Sequence, residues 1–211
     1  MLVPEGPTPF PLRWGFSTRL DPPESLPDRR LAQVHGCDVL EACDTLREGD
    51  GHWTKDRGRV LGVRGADCVP ILLAGQAGGP WVAALHAGWR GAVAGILRRA
   101  VELFRGQGGD PAELAWAFGP CIGACHFEVG PEVLDAARKD PAWREALATP
   151  GPRGRPHLDL HGLLRAQALD LGLDPAREAS VALCTFCRGD LFHSYRRGDK
   201  EGRQWGLIEI L

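Results

Sequence analysis

The sequence predicts an α+β (mixed α/β) fold, a single domain over residues 1–211 with a mixed β-sheet flanked by helices. Three observations lead there. Short apolar runs bounded by glycines read as strands, other stretches carry a helical period, and the two kinds intermix without the strict alternation of a doubly wound sheet. The 211 residues, 44% hydrophobic and 25% charged, suit one large domain that buries a core without disulfide staples. Neither the GxGxxG dinucleotide turn nor the GxxxxGK[ST] phosphate loop occurs, so the common nucleotide folds lose support.

Each element has its own signal. Residues 1–30, rich in Pro and Arg, read as irregular apart from a short strand at Trp14–Ser17. Strands are expected at Leu31–Val34, Val39–Ala42, Arg59–Val63, Val69–Ala74 and Trp81–Leu85, with Gly75–Pro80 as a turn. Val93, Ile96, Leu97, Ala100, Val101 and Phe104 fall on one helical face, and Gly106 and Gly108-Gly109 stop that helix. A strand fits Leu114–Phe118. Pro131 opens a helix through Ala137, and Pro141 a second near Ala142–Ala148. The stretch 149-TPGPRGRP-156 reads as a loop, Leu160–Leu171 as a helix, and Val181–Thr185 and Leu207–Leu211 as closing strands.

Bulk properties exclude some roles. A net charge of −2 gives no global basic field, so nucleic acid is not an expected partner. The start, MLVPEGPTPFPLRW, has prolines and an acid where a signal peptide needs an apolar core, and no span of about 18 apolar residues exists for a membrane helix. A cytoplasmic setting follows, in which the seven cysteines are free thiols or metal ligands rather than disulfides.

Three stretches carry the chemistry: 33-QVHGCDV-39, 65-GADCVPILL-73 and 84-ALHAGWRG-91. His35, Cys68 and His86 make a His2Cys set, the composition of a catalytic zinc site that keeps a fourth position open. Zinc there would lower the pKa of water from ~15.7 to about 7. The competing reading is one buried thiol and two hydrogen-bonded histidines, and a third makes Cys68 a nucleophile with His86 as its base. Arg90, at a strand-to-helix junction, is a candidate for gripping phosphate or carboxylate beside a helix N-terminus; a surface arginine is the alternative. Arg196 and Arg197 in 192-FHSYRRGDKEGR-203 are further anion-binding candidates, set against a solvated charged turn. Cys121, Cys125, His126, Cys184 and Cys187 offer a second set, read either as a structural zinc site or, preferably, as inert thiols. His52, His157 and His161 receive no role.

Taken in order, QVHGCDV, the Asp50–Thr54 segment, GADCVPILL, ALHAGWRG, FGPCIGACHFEVG and FHSYRRGDKEGR resemble the laccase-domain (YfiH-like) family, once called polyphenol oxidases and now described as purine nucleoside phosphorylases. The resemblance implies that His35, Cys68 and His86 form the metal site, that the substrates are purine nucleosides and phosphate, and that adenosine is also deaminated. It implies zinc as the metal, with copper and a laccase-type oxidation as the alternative, although the chain lacks the His-x-His pairs expected of a multicopper oxidase. It also implies a fold similar to that of a bacterial toxin domain that deamidates glutamine through Cys and His. The stretch WGFSTRLDPPESLPDRRLAQVHG is shorter than the family's usual N-terminal portion.

Overall fold

The computed structural model describes residues 1–21 and 31–211. Its main sheet has five strands. β3 (Val39–Glu41), β5 (Gly51–Thr54), β7 (Val69–Gln76), β8 (Pro80–Ala87) and β9 (Ala115–Phe118) lie in the order β3-β5-β8-β7-β9. β3 and β5 are parallel and the other pairs antiparallel, so the sheet is mixed. β1 (Leu12–Phe16), β12 (Gln204–Ile210) and β6 (Leu61–Gly65) form a second, antiparallel sheet in the order β1-β12-β6. β2 (Leu31–Ala32) pairs with β4 (Arg47–Glu48), and β10 (Ala148–Pro150) with β11 (Pro156–Leu158). The helices are α1 (Trp89–Val93), α2 (Ile96–Gly106), α3 (Pro131–Ala137) and α4 (Leu160–Asp170).

The central strands are nearly continuous apolar runs because both of their faces are covered. Side chains alternate across a strand. On β7 and β8, Ile71, Leu73, Trp81, Ala83 and Leu85 join Ile96, Leu97, Val101 and Phe104 of α2 and Leu160 and Leu164 of α4 in one core. Leu72, Ala74, Val82 and Ala84 turn the other way and meet Trp14, Phe16, Leu61, Val63, Ile208 and Ile210 of the second sheet. Each large aliphatic or aromatic side chain so enclosed contributes about 1.5–3 kcal/mol of burial free energy. Helices therefore flank one face of the main sheet, and the small sheet covers the other.

Several expected elements change under this packing. The helical run from Val93 to Phe104 breaks at Gly95, whose φ of 84° no helix accommodates, giving α1 and α2. The strand expected at Leu31–Val34 stops at Ala32, because the next residues wrap around a buried carboxylate. The helix expected near Ala142–Ala148 is reduced to a turn and a short 3-10 segment at Glu145–Leu147. The loop at 149–156 is the tip of the β10–β11 hairpin. Val181–Thr185 is not a strand; its backbone pairs with the 118–121 segment through isolated hydrogen bonds and one bridge, between Cys121 and Cys184. The last strand is longer than expected and starts at Gln204. Of the irregular N-terminal stretch, residues 22–30 lie outside the described residues, and the strand expected at Trp14–Ser17 is found one to two residues earlier as β1.

Candidate functional site

β8 delivers His86 to the edge of the main sheet on the face that carries Val82 and Ala84. Asp50, one residue before β5, sits opposite it: the His86 amide donates to the Asp50 carbonyl at 2.6 Å, and His86 Nδ1 meets Asp50 Oδ1 at 2.8 Å. Asp50 is fully buried. Its carboxylate also accepts the backbone N–H groups of Val34 (3.1 Å), His35 (2.9 Å) and Gly36 (2.7 Å). One carboxylate thus orients the His86 ring and bends the 34–36 turn around itself. That turn holds His35 at φ 62°, a left-handed conformation that the three hydrogen bonds pay for. Gln33 fixes the start of the turn to β6, donating to the Arg64 carbonyl at 2.7 Å and accepting the Arg64 N–H at 3.0 Å.

Cys68 enters from the bend before β7. His35, Cys68 and His86 bring their ligand atoms within 4.8 Å of one another, and the two imidazoles stand edge to face with centroids 4.9 Å apart. Gly88 explains the glycine that follows His86. A Cβ there would lie 3.0 Å from His35 Cδ2 and 3.2 Å from Cys68 Sγ, so a side chain would press on both.

Electrostatics couple the three residues. Burial alone would raise the Cys68 thiol, but the adjacent His86 and His35 imidazoles outweigh it and bring the thiol down to about 6. Burial alone would lower His86, but the Cys68 charge and the Asp50 carboxylate lift it to about 9. For Asp50, burial is opposed by His86 and the backbone N–H groups, and the carboxyl is held below its ordinary value. These shifts favour a thiolate on Cys68 and an imidazolium on His86, backed by the Asp50 carboxylate. Its donors, one soft sulfur and two imidazole nitrogens, fit a zinc or copper ion.

The cluster lies on a cavity of about 700 Å³, within the range of small-molecule sites. Beside the three ligand candidates the cavity is lined by Arg64, Asp67, Phe127, Tyr195, Arg196, Lys200 and Arg203, among others. Arg196, a candidate from the sequence, is there, with Nη1 donating to the Glu128 carbonyl at 2.7 Å. Arg90 is not. Its guanidinium lies over the Trp89 ring at 4.4 Å on an exposed surface, and α1 is only five residues long. Of the two anion-binding candidates, Arg196 therefore lines this cavity and Arg90 does not. Arg197 turns inward to the carbonyls of Thr185, Phe186 and Phe192 and to Asp199.

Asp67 departs from the sequence reading in another way. Strand alternation would point it away from Cys68, but it occupies a bend at φ 91°. Its carboxylate accepts the Thr185 hydroxyl at 2.7 Å and the Arg196 N–H at 2.8 Å, tying the Cys68 bend to the C-terminal loop. Asp50 is the main residue that sequence reasoning missed. Its signal was GDG at a strand start, an acid flanked by residues that let other backbone close in.

Known proteins share this arrangement of elements. A family profile described as multi-copper polyphenol oxidoreductase laccase matches residues 23–211. This chain belongs to the YfiH-like laccase-domain family. It is 36% identical over 187 residues to the purine nucleoside phosphorylase YfiH of Escherichia coli (strain K12), covering 86% of this chain and 73% of that protein. It is 36% identical over 168 residues to the adenosine deaminase RL5 of an unknown prokaryotic organism, covering 79% and 64% of the two chains. The crystal structure of Neisseria meningitidis protein NMB0706 superposes with a TM-score of 0.80 at 27% identity, covering 99% of this chain and 98% of that one. The Bacillus licheniformis YfiH structure gives the same TM-score and identity over 87% of this chain and 74% of its own. Like those structures, the YfiH-like chain is an α+β fold, here with one mixed and one antiparallel main sheet.

Proposed function

We propose that this YfiH-like chain is a zinc-dependent purine nucleoside phosphorylase acting on adenosine, inosine and S-methyl-5'-thioadenosine, with adenosine deaminase activity. The observation that carries the reading is the meeting of His35, Cys68 and His86 on a cavity that four basic and two aromatic side chains also line, with Asp67 and Glu201 among its other residues. The names of its relatives supply the reaction class. A zinc ion held by the three side chains would supply a Lewis acid.

The chain's own groups supply the rest. Asp50 occupies His86 Nδ1 and so leaves Nε2 to face the cavity, the usual role of a carboxylate behind a ligating histidine. Arg196, Arg64, Lys200 and Arg203 give phosphate a cationic wall. Phe127 and Tyr195 give a purine aromatic surface. In phosphorolysis a phosphate oxygen attacks the anomeric carbon, the glycosidic C–N bond breaks and the purine leaves with a proton. The protein holds the two reactants in one enclosure, where proximity does much of the work. Incubation with adenosine with and without phosphate tests this. Ribose-1-phosphate and adenine are expected with phosphate, and inosine in either case; no product in either, with zinc present, contradicts the reading.

One observation favours a second reading. A thiol brought down to about 6 beside an imidazole is an activated nucleophile, as in a cysteine hydrolase. Such an enzyme would keep its activity after chelation and lose it on alkylation of Cys68. Copper instead of zinc in the purified chain, with oxygen uptake on a phenol, would mark the oxidase alternative.

A further inference from the structure

A second cluster lies outside the cavity. Cys125 and His126 sit in the turn after β9, and Cys184 and Cys187 in an irregular stretch toward the C-terminus. Their four ligand atoms all lie within 4.8 Å of one another. Cys121, which the sequence grouped with them, is buried and joins only through its backbone, bridging to Cys184.

The distances have a specific pattern. Cys125 Sγ is 3.6 Å from Cys184 Sγ and 3.7 Å from Cys187 Sγ. His126 Nδ1 is 3.3 Å from Cys125 Sγ and 3.4 Å from Cys187 Sγ. Sulfurs at about 2.3 Å and a nitrogen at about 2.1 Å from a common centre, at tetrahedral angles, lie about 3.8 Å (S to S) and about 3.6 Å (S to N) apart. The four measured edges match that tetrahedron within a few tenths of an ångström. The Gly123 N–H donates to Cys184 Sγ at 3.2 Å, a bond that favours the thiolate. The His126 ring stacks on Phe186 at 4.0 Å and 17°, which fixes its orientation.

We propose that Cys125, His126, Cys184 and Cys187 form a second, structural metal site, a closed Cys3His zinc centre separate from the cavity. All four positions come from protein, so no place is left for water or substrate. Residues 181–203 hold no helix or strand, and a metal crosslink would add to the Arg197 and Asp67 bonds that order this loop. The loop is also functional ground. It carries Thr185, which holds Asp67, and Tyr195, Arg196, Lys200 and Arg203 of the cavity wall. A cation binding both turns would lock that wall to the segment bearing Ile122 and Phe127. The proposal is independent of the purine reading.

Metal counting on the full chain tests it. Purified Cys68→Ala protein should retain one zinc per chain through dialysis, and adding Cys187→Ser should remove it. A folded Cys68→Ala protein with no zinc overturns the proposal. Alkylation mapping on the wild-type chain avoids any folding defect. Zinc-loaded protein should react at Cys125 and Cys187 at least tenfold more slowly than chelated protein, although both are exposed. Equal rates overturn the proposal, as does an intact mass lower by two hydrogens that places a disulfide among these cysteines.

Discussion

Two buried imidazoles stand on one face of the same sheet and behave in opposite ways. His52, on β5, lies opposite Ala84, and its Nε2 accepts the Gly62 N–H at 3.1 Å. Burial pushes it down to about 4. His86, two residues further along β8, meets Asp50 and Cys68 and is lifted to about 9. Burial is similar in both. The difference is a carboxylate and a thiolate, and it separates an inert core group from a reactive one.

The largest effect should follow from removing the thiolate. Cys68→Ala should lower phosphorolysis on the order of a thousandfold, about 4 kcal/mol of transition-state stabilisation. Product formation at saturating substrate checks it, with circular dichroism showing an intact fold. The inert partner gives the next effect. His52 stays neutral in the fold until about pH 4, whereas in the unfolded chain it takes a proton near its ordinary value of about 6.5. As pH falls below 6.5 the unfolded state therefore gains a proton first. Stability should fall by about 3 kcal/mol down to pH 4 and then level off for this group. Denaturant unfolding across that range should show the slope, and His52→Gln should flatten it.

Asp50→Asn sharpens the contrast by weakening the charge behind His86. Zinc affinity, read by competition with a chelating dye, should fall about 10–100-fold. An unchanged affinity would reduce Asp50 to a scaffold for the turn. The smallest effect separates the two arginines. Arg196→Ala should raise the KM for phosphate about tenfold, the loss of one charged contact. Arg90→Ala should leave it within about twofold.

The contrast also marks what the sequence could and could not disclose. Central strands were legible because double burial writes apolar runs such as VPILLAG, and α2 because its apolar face keeps a strict period. His35, Cys68 and His86 were legible because each ends or precedes a strand next to small residues, where a ligand has room. Asp50 was not, since its partners are backbone N–H groups of residues 34–36 and a histidine 36 positions away. Arg90 could not be placed relative to the cavity from sequence either. Its local signal, glycines and a helix start, was sound, but the helix end faces His35 and Cys68 through Gly88 while the guanidinium folds onto Trp89. The Cys125–Cys187 group was visible as a motif, but only long-range folding shows which thiols meet and that Cys121 does not.

Anomalous diffraction at the zinc and copper edges, from crystals of the purified chain, tests the central claim most directly. A zinc peak is expected bonded to His35, Cys68 and His86 at about 2.0–2.3 Å, with its remaining position open toward the cavity. Zinc-replete crystals with no peak among those three side chains would contradict it.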